Sequence, residues 1–229
     1  EGDGPGEFQA ISSIQFLGPD TVLVFDRATQ RVSRFLVSGE FVSSQQLGQL
    51  EFRGAPVEFD RVLQLDDGSL VGREAGDFVR SEAELARDTV HFLIADDTMR
   101  LLDAMPGLRT VQAEFEGRRL FGIQMFNQLP TWDVLGNQVV VAQGDHYAIR
   151  VLERGGVERI VRRSAEPLPL TQDDIEAFIE QSLARVPEAQ RSQARRLQAN
   201  MPYPEYRATY QSVLVDPEGN AWAEHYGEL

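Results

Sequence analysis

The sequence predicts an all-β fold of repeated antiparallel units, interrupted by one helical pair. Three observations predict it. Short runs rich in β-branched and aromatic residues, such as Thr21 to Phe25 (TVLVF), recur along the chain. Turn residues stand between them: Gly18-Pro19-Asp20, Asp66-Asp67-Gly68, Gly136-Asn137 and Asp216-Pro217-Glu218-Gly219. Apolar residues take helical spacing only after Thr171.

The first unit fills Gly2 to Val42. Gly2, Gly4, Pro5 and Gly6 make a rigid, tightly turned lead-in, because glycine tolerates positive φ and proline fixes it. Phe8 follows as an anchor. Ile11, Ile14, Phe16 and Leu17 form a short apolar run. Thr21 to Phe25 reads as a strand buried on both faces, and Asp26 ends it. Arg31 to Val37 alternates, with Val32, Phe35 and Val37 on one face, although Leu36 breaks the pattern. Ser38-Gly39-Glu40 turns the chain into a fourth strand opening at Phe41-Val42. Four short strands joined by tight turns make one antiparallel blade of a β-propeller.

After a loop from Leu47 to Pro56, a second unit repeats strand, turn, strand in Phe59 to Leu65 and Ser69 to Val71. Glu74 to Arg87 is polar and acidic and reads as an elaborated loop. Thr89 to Ala95 is a buried strand and Asp96-Asp97 its turn. Met99 to Met105 is the return strand, ended by Pro106-Gly107. Gln112 to Phe115 and Leu120 to Phe126 form a further hairpin. A third unit runs through Trp132 to Leu135 and Gln138 to Ala142. Gly144-Asp145 then leads into His146 to Leu152, and Val157 to Val161 follows. Corresponding points recur at roughly 45 to 60 residues, the spacing of a propeller or another array with insertions.

The period then changes. Thr171 with Asp174 reads as a helix N-cap with an acid at the third helical position. Ile175, Phe178, Ile179 and Leu183 fall on one helical face. Pro187 suits the first turn of a second helix over Glu188 to Ala199, with Leu197 inward. Met201-Pro202-Tyr203-Pro204 closes this insertion, residues 171–201, within a single domain of residues 1–229. It reads as a lid packed by its apolar stripe, or as a partner-binding or gating element. Val213 to Val215 and Ala221 to Ala223 begin a fourth unit, and the chain stops at Leu229.

The Gly-Pro-Gly-Glu-Phe lead-in (residues 4–8), the TVLVFD strand, the RVSRF strand and the SGEFV return together resemble an NHL-type repeat, the unit of six-bladed β-propellers. The stretch VLVDPEGNAW resembles the first two strands of such a blade. The resemblance implies a ring of six blades, of which this chain holds about three and a started fourth. The propeller is therefore expected to be incomplete here and to be completed by further residues or by another chain, since an open array leaves edge strands that invite pairing. Resemblance to bacterial secreted propellers implies an extracytoplasmic place, periplasmic or secreted.

Composition narrows the partners. At 229 residues with a 42% hydrophobic fraction, the chain can build a sizeable core. No apolar run approaches the roughly 18 residues of a membrane span. No signal peptide is visible, and the start at Glu1 predicts a processed or truncated chain. The net charge of −14 argues against nucleic acid and anionic membrane surfaces and reads as solubility. All 22 basic residues are arginine. The absence of cysteine excludes disulfides, thiolate metal sites and thiol nucleophiles.

No motif fixes a reaction. His91, His146 and His225 show neither an i, i+4 pair nor HExxH, and they read as structural or surface histidines. Without lysine there is no Walker A loop, and no GxSxG elbow is present. Gly2-x-Gly4-x-Gly6 precedes a strand and no helix, so a dinucleotide site fails. Asp66-Asp67 and Asp96-Asp97 read as turn residues. Tyr203, Tyr206, Tyr210 and Trp222 read as aromatic core beneath the lid, or as a recognition surface. No catalytic, cofactor-binding or metal-ligating residue is assigned, and no cofactor is named. The expected function is a non-catalytic binding or scaffold propeller holding a protein partner or small ligand, as a subunit of a larger extracytoplasmic assembly. The resemblance also implies an alternative: a metal-dependent hydrolase (lactonase) or lyase working in the propeller channel, with Glu, Asn, Asp or His ligands at inner-strand ends.

Overall fold

The computed structural model describes residues 4, 6–75, 87–95, 99–126, 130–143, 147–164 and 166–225. Gly2 and Pro5 of the lead-in, residues 76–86 of the polar stretch, Asp96-Asp97, Gly144-Asp145 and His146 lie outside the described residues. The described chain is predominantly β, in several antiparallel sheets with one helical pair.

The four strands expected of the first unit form a meander: β1 (Ile11–Leu17), β2 (Thr21–Asp26), β3 (Arg31–Leu36) and β4 (Phe41–Gln46). Asp26 does more than end a strand. Its buried carboxylate accepts backbone N–H groups from Gln9 at 2.8 Å and from Ala10 and Ala28 at 3.0 Å. Burial opposes ionisation there, but these bonds outweigh it and hold the carboxyl below the ordinary aspartate range. Arg31 Nη2 donates to the Glu7 carbonyl at 2.6 Å, and the Phe8 ring sits edge-on to Phe35 at 5.9 Å. The lead-in is thereby fastened to the ends of β2 and β3.

A two-residue-per-strand hairpin, β5 (Glu51–Phe52) and β6 (Ala55–Pro56), bridges to the second sheet. That sheet holds β7 (Phe59–Gln64), β8 (Leu70–Glu74), β9 (Arg87–Ala95), β10 (Met99–Phe115) and β11 (Arg118–Ile123). Here the sequence expectation needs correcting. Pro106-Gly107 does not end the return strand. One 17-residue strand runs through it, pairing with β9 over its first part and with β11 over its last. Proline lacks an N–H and is normally expelled from a strand interior. A register shift between Pro106 and Arg109 supplies the bulge that accommodates it.

The third sheet is the expected meander of β12 (Thr131–Leu135), β13 (Gln138–Ala142), β14 (Ala148–Glu153) and β15 (Gly156–Arg162). Helices α1 (Gln172–Leu183) and α2 (Glu188–Ala199) follow. Thr171 and Asp174 form a reciprocal capping box at α1. Ile179 and Leu183 are buried, and Phe178 meets Phe126 at 5.0 Å. Tyr203 meets the same ring at 6.1 Å, and the Met201 methyl lies over Gly122. The helical pair thus rests beside the β10–β11 hairpin. Pro187 is the N-cap of α2, one position earlier than expected, and Leu197 is half-buried. The fourth unit is the hairpin β16 (Tyr210–Val215) and β17 (Ala221–His225).

Among the described residues, three separate cores lie between neighbouring sheets. Leu23, Phe25 and Val32 of the first sheet meet Phe59, Leu70 and Leu93 of the second. Leu63, Val71 and Phe92 on the other side of the second sheet meet Trp132, Val141 and Leu152 of the third. Val140 and Ala142 then meet Tyr210 and Val213 of the fourth unit. The leading strands β1, β7, β12 and β16 follow one another as neighbours.

Candidate functional site

The leading strands are joined by side chains that replace missing strand pairing. From β1, Ser13 Oγ donates to the Val62 carbonyl at 2.7 Å. Gln15 brackets the Gln64 peptide, donating from Nε2 to its carbonyl at 2.9 Å and accepting its N–H at 2.7 Å. Gln30 brackets the Phe59 peptide in the same way, with both bonds at 2.8 Å. From β7, Arg61 donates to the Trp132 carbonyl, stacks 4.9 Å from the Trp132 ring and faces Asp133 at 3.7 Å. Burial pushes the Arg61 guanidinium below its ordinary value, and Asp133 opposes that shift. From β12, Thr131 Oγ1 accepts the Val213 N–H at 3.0 Å, and Asp133 Oδ2 accepts the Val215 N–H at 2.8 Å.

A parity rule emerges from these bonds. On each leading strand, residues of one parity reach toward the next sheet: Ser13 and Gln15, then Arg61, then Thr131 and Asp133. Residues of the other parity receive from the sheet before: Val62 and Gln64, then Trp132, then Val213 and Val215. The sequence signal for the reaching residues is faint: a polar side chain at alternate positions of an otherwise apolar strand. Sequence reasoning passed over all five.

At the two ends of the series this rule leaves side chains with no sheet to meet among the described residues. Ile14 and Phe16 on β1 have receiving parity and are 60% and 69% exposed. Leu214 on β16 has reaching parity and is 59% exposed. Its cross-strand partner Trp222 is 64% exposed.

The described residues among those singled out in the sequence do not assemble into one centre. His91 Nδ1 contacts the Glu74 carboxylate, and its ring packs 5.4 Å from Phe52, a structural placement. His225 belongs to β17. Among the described residues, no three His, Asp or Glu side chains gather as a metal site. Asp66 and Asp67 join the turns of two sheets: their backbone N–H groups donate to Gly136 O at 3.0 Å and Asn137 Oδ1 at 2.9 Å. The aromatic group divides. Tyr210 is buried against Tyr147, Tyr203 lies under the helices, and Tyr206 and Trp222 are exposed. Trp222 Nε1 donates to Asp216 at 2.7 Å, which fixes the exposed indole in place.

No protein-family model matches the chain, and no curated protein matches its sequence. Among solved structures, a "putative exported protein" from Bacteroides fragilis is similar at 17% identity and a TM-score of 0.44. The match covers 79% of this chain and 45% of that one, so the chain spans under half the length of that neighbour.

Proposed function

We propose that this chain is a segment of an NHL-like, six-bladed type of β-propeller. On this reading it works as a non-catalytic binding scaffold whose two outer sheet faces seat further antiparallel sheets of a protein partner. The parity rule carries the reading. Each internal sheet both receives side chains from the sheet before it and extends them to the sheet after it. The outer faces hold the same two kinds of position, bearing Ile14 and Phe16 on one side and Ser212, Leu214 and Trp222 on the other. A sheet of the same build is the partner whose backbone and apolar face answer both. An extracytoplasmic place is proposed with it, on the resemblance of the repeat alone. Among the described residues no helix is long and apolar enough to cross a membrane.

Light scattering on the isolated chain tests this. A second copy offers the complementary outer face, so the mass is expected to exceed the 25.7 kDa of one chain. Phe16→Asp and Leu214→Asp alter exposed side chains only, and each is expected to return the monomer. A wild-type chain that stays monomeric at high concentration, with a sharp cooperative melt, overturns the reading.

A further inference from the structure

We propose that a groove at the end of the third sheet binds a small organic acid, a carboxylate carried on an apolar or ring-shaped body. The groove encloses about 410 Å³, a volume within the range of small-molecule sites. Its lining includes Arg150, Arg162 and Arg163 with Tyr147, Ile160 and Thr209, and among the described residues no carboxylate lines it. That is an unusual patch for a chain carrying 36 acidic residues against 22 arginines.

The strand register explains the convergence. Ala148 stands opposite Arg162 and Arg150 opposite Ile160, so these four side chains share one face of the β14–β15 ladder. Arg150 is held by Asp103 of the second sheet at 3.1 Å. Arg163 follows the strand, and its guanidinium stands 5.7 Å from the centre of the Tyr147 ring. Tyr147 is itself fixed edge-on to buried Tyr210 at 5.3 Å. Among the described residues, no carboxylate forms an ion pair with Arg162 or Arg163. Two planar guanidinium forks on a strand end, beside an immobilised aromatic wall, suit the two oxygens of a carboxylate.

The surroundings select against other anions. Tyr147 and Ile160 favour a ligand with an apolar or ring body, which inorganic phosphate lacks. The −14 net charge of the chain repels a long polyanion such as nucleic acid, whereas a small acid brings a single charge. This groove is separate from the outer sheet faces and does not rest on the scaffold reading.

Calorimetric titration of the whole chain tests the assignment, with benzoate and galacturonate as probes and benzamide, galactose and inorganic phosphate as controls. At least one of the two acids is expected to bind with one-to-one stoichiometry, and its neutral counterpart to give no heat. Arg162→Ala with Arg163→Ala is expected to weaken that acid by about tenfold or more. Both residues are exposed, so the melting temperature should hold. Arg162→Gln alone, the milder variant, should weaken binding by a smaller factor. Failure of both acids to bind overturns the proposal. So does equal binding by the neutral controls or phosphate, or by a folded double variant.

Discussion

The ring of Phe59 lies on the bare Cα of Gly72: a Cβ built at Gly72 would stand 2.2 Å from Phe59 Cδ1. Both residues sit where the second sheet faces the first, and Phe59 is fully buried. The side chain cannot move aside without disturbing that core. Gly72→Ala is therefore expected to destabilise the chain by about 1–3 kcal/mol, the cost of overpacking. Urea unfolding measures it. Adding Phe59→Leu should recover part of the loss, because the smaller side chain vacates the contested space. An alanine variant as stable as wild type would contradict the packing described.

Asp26 supplies the second expectation. Asp26→Ala strips the partner from the N–H groups of Gln9, Ala10 and Ala28. The expected cost at neutral pH is on the order of 3 kcal/mol. The folded-state pKa is depressed, so the stabilisation is present above the unfolded-state value and is lost as pH falls through the folded one. The gap between wild type and variant should therefore narrow below about pH 4. Chemical denaturation at pH 7 and pH 3 reads both, and a gap that stays constant counts against the carboxylate as the cause.

The Gln15 bracket predicts a local effect. Gln15→Leu leaves the Gln64 N–H and carbonyl without their side-chain partner. A loss of about 1–2 kcal/mol is expected. Faster amide exchange should appear at Gln64 and leave the β12–β16 seam unchanged. Uniform acceleration across the chain would show that the bond is not local to that junction.

The helical pair should respond to its cap. Thr171→Ala removes one half of the capping box and is expected to cost about 1 kcal/mol. The Asp174 carboxyl lies below its ordinary range because the Thr171 hydroxyl and backbone donate to it and Arg207 pairs with it, while burial opposes. Its stabilisation holds above the unfolded-state pKa and fades as acid carries the pH through the folded value. An NMR titration should show the Thr171 amide moving at a pH below that of a free aspartate. A midpoint at the free value would mean that the box does not form in solution.

Strand positions were legible where turn chemistry was explicit. Gly18-Pro19-Asp20, Asp66-Asp67-Gly68 and Gly136-Asn137 each mark a hairpin that forms as expected. The Thr171–Asp174 cap was equally plain, because capping is a local bond with a fixed spacing. Pro106 misled because the bulge that admits it depends on how β9 pairs with β10, a contact between segments that local preference does not contain. The seam residues were illegible for a related reason. Ser13 and Gln15 bond to backbone nearly fifty residues away, and a peptide group has no sequence signature. The arginine groove needed the β14–β15 register, since Arg150 and Arg162 become neighbours only across the ladder.

Each of the three cores is shared by two adjacent sheets, and this has a mechanical consequence. Cohesion passes along the chain of sheets one junction at a time, as in a quasi-one-dimensional array. A lesion at Trp132 would uncouple the middle junction and leave Phe25 and Phe59 still packed together. In a chain whose outer faces are not covered by a partner, opening should then start at the outer sheets, each of which has one neighbour among the described sheets, and advance inward in steps.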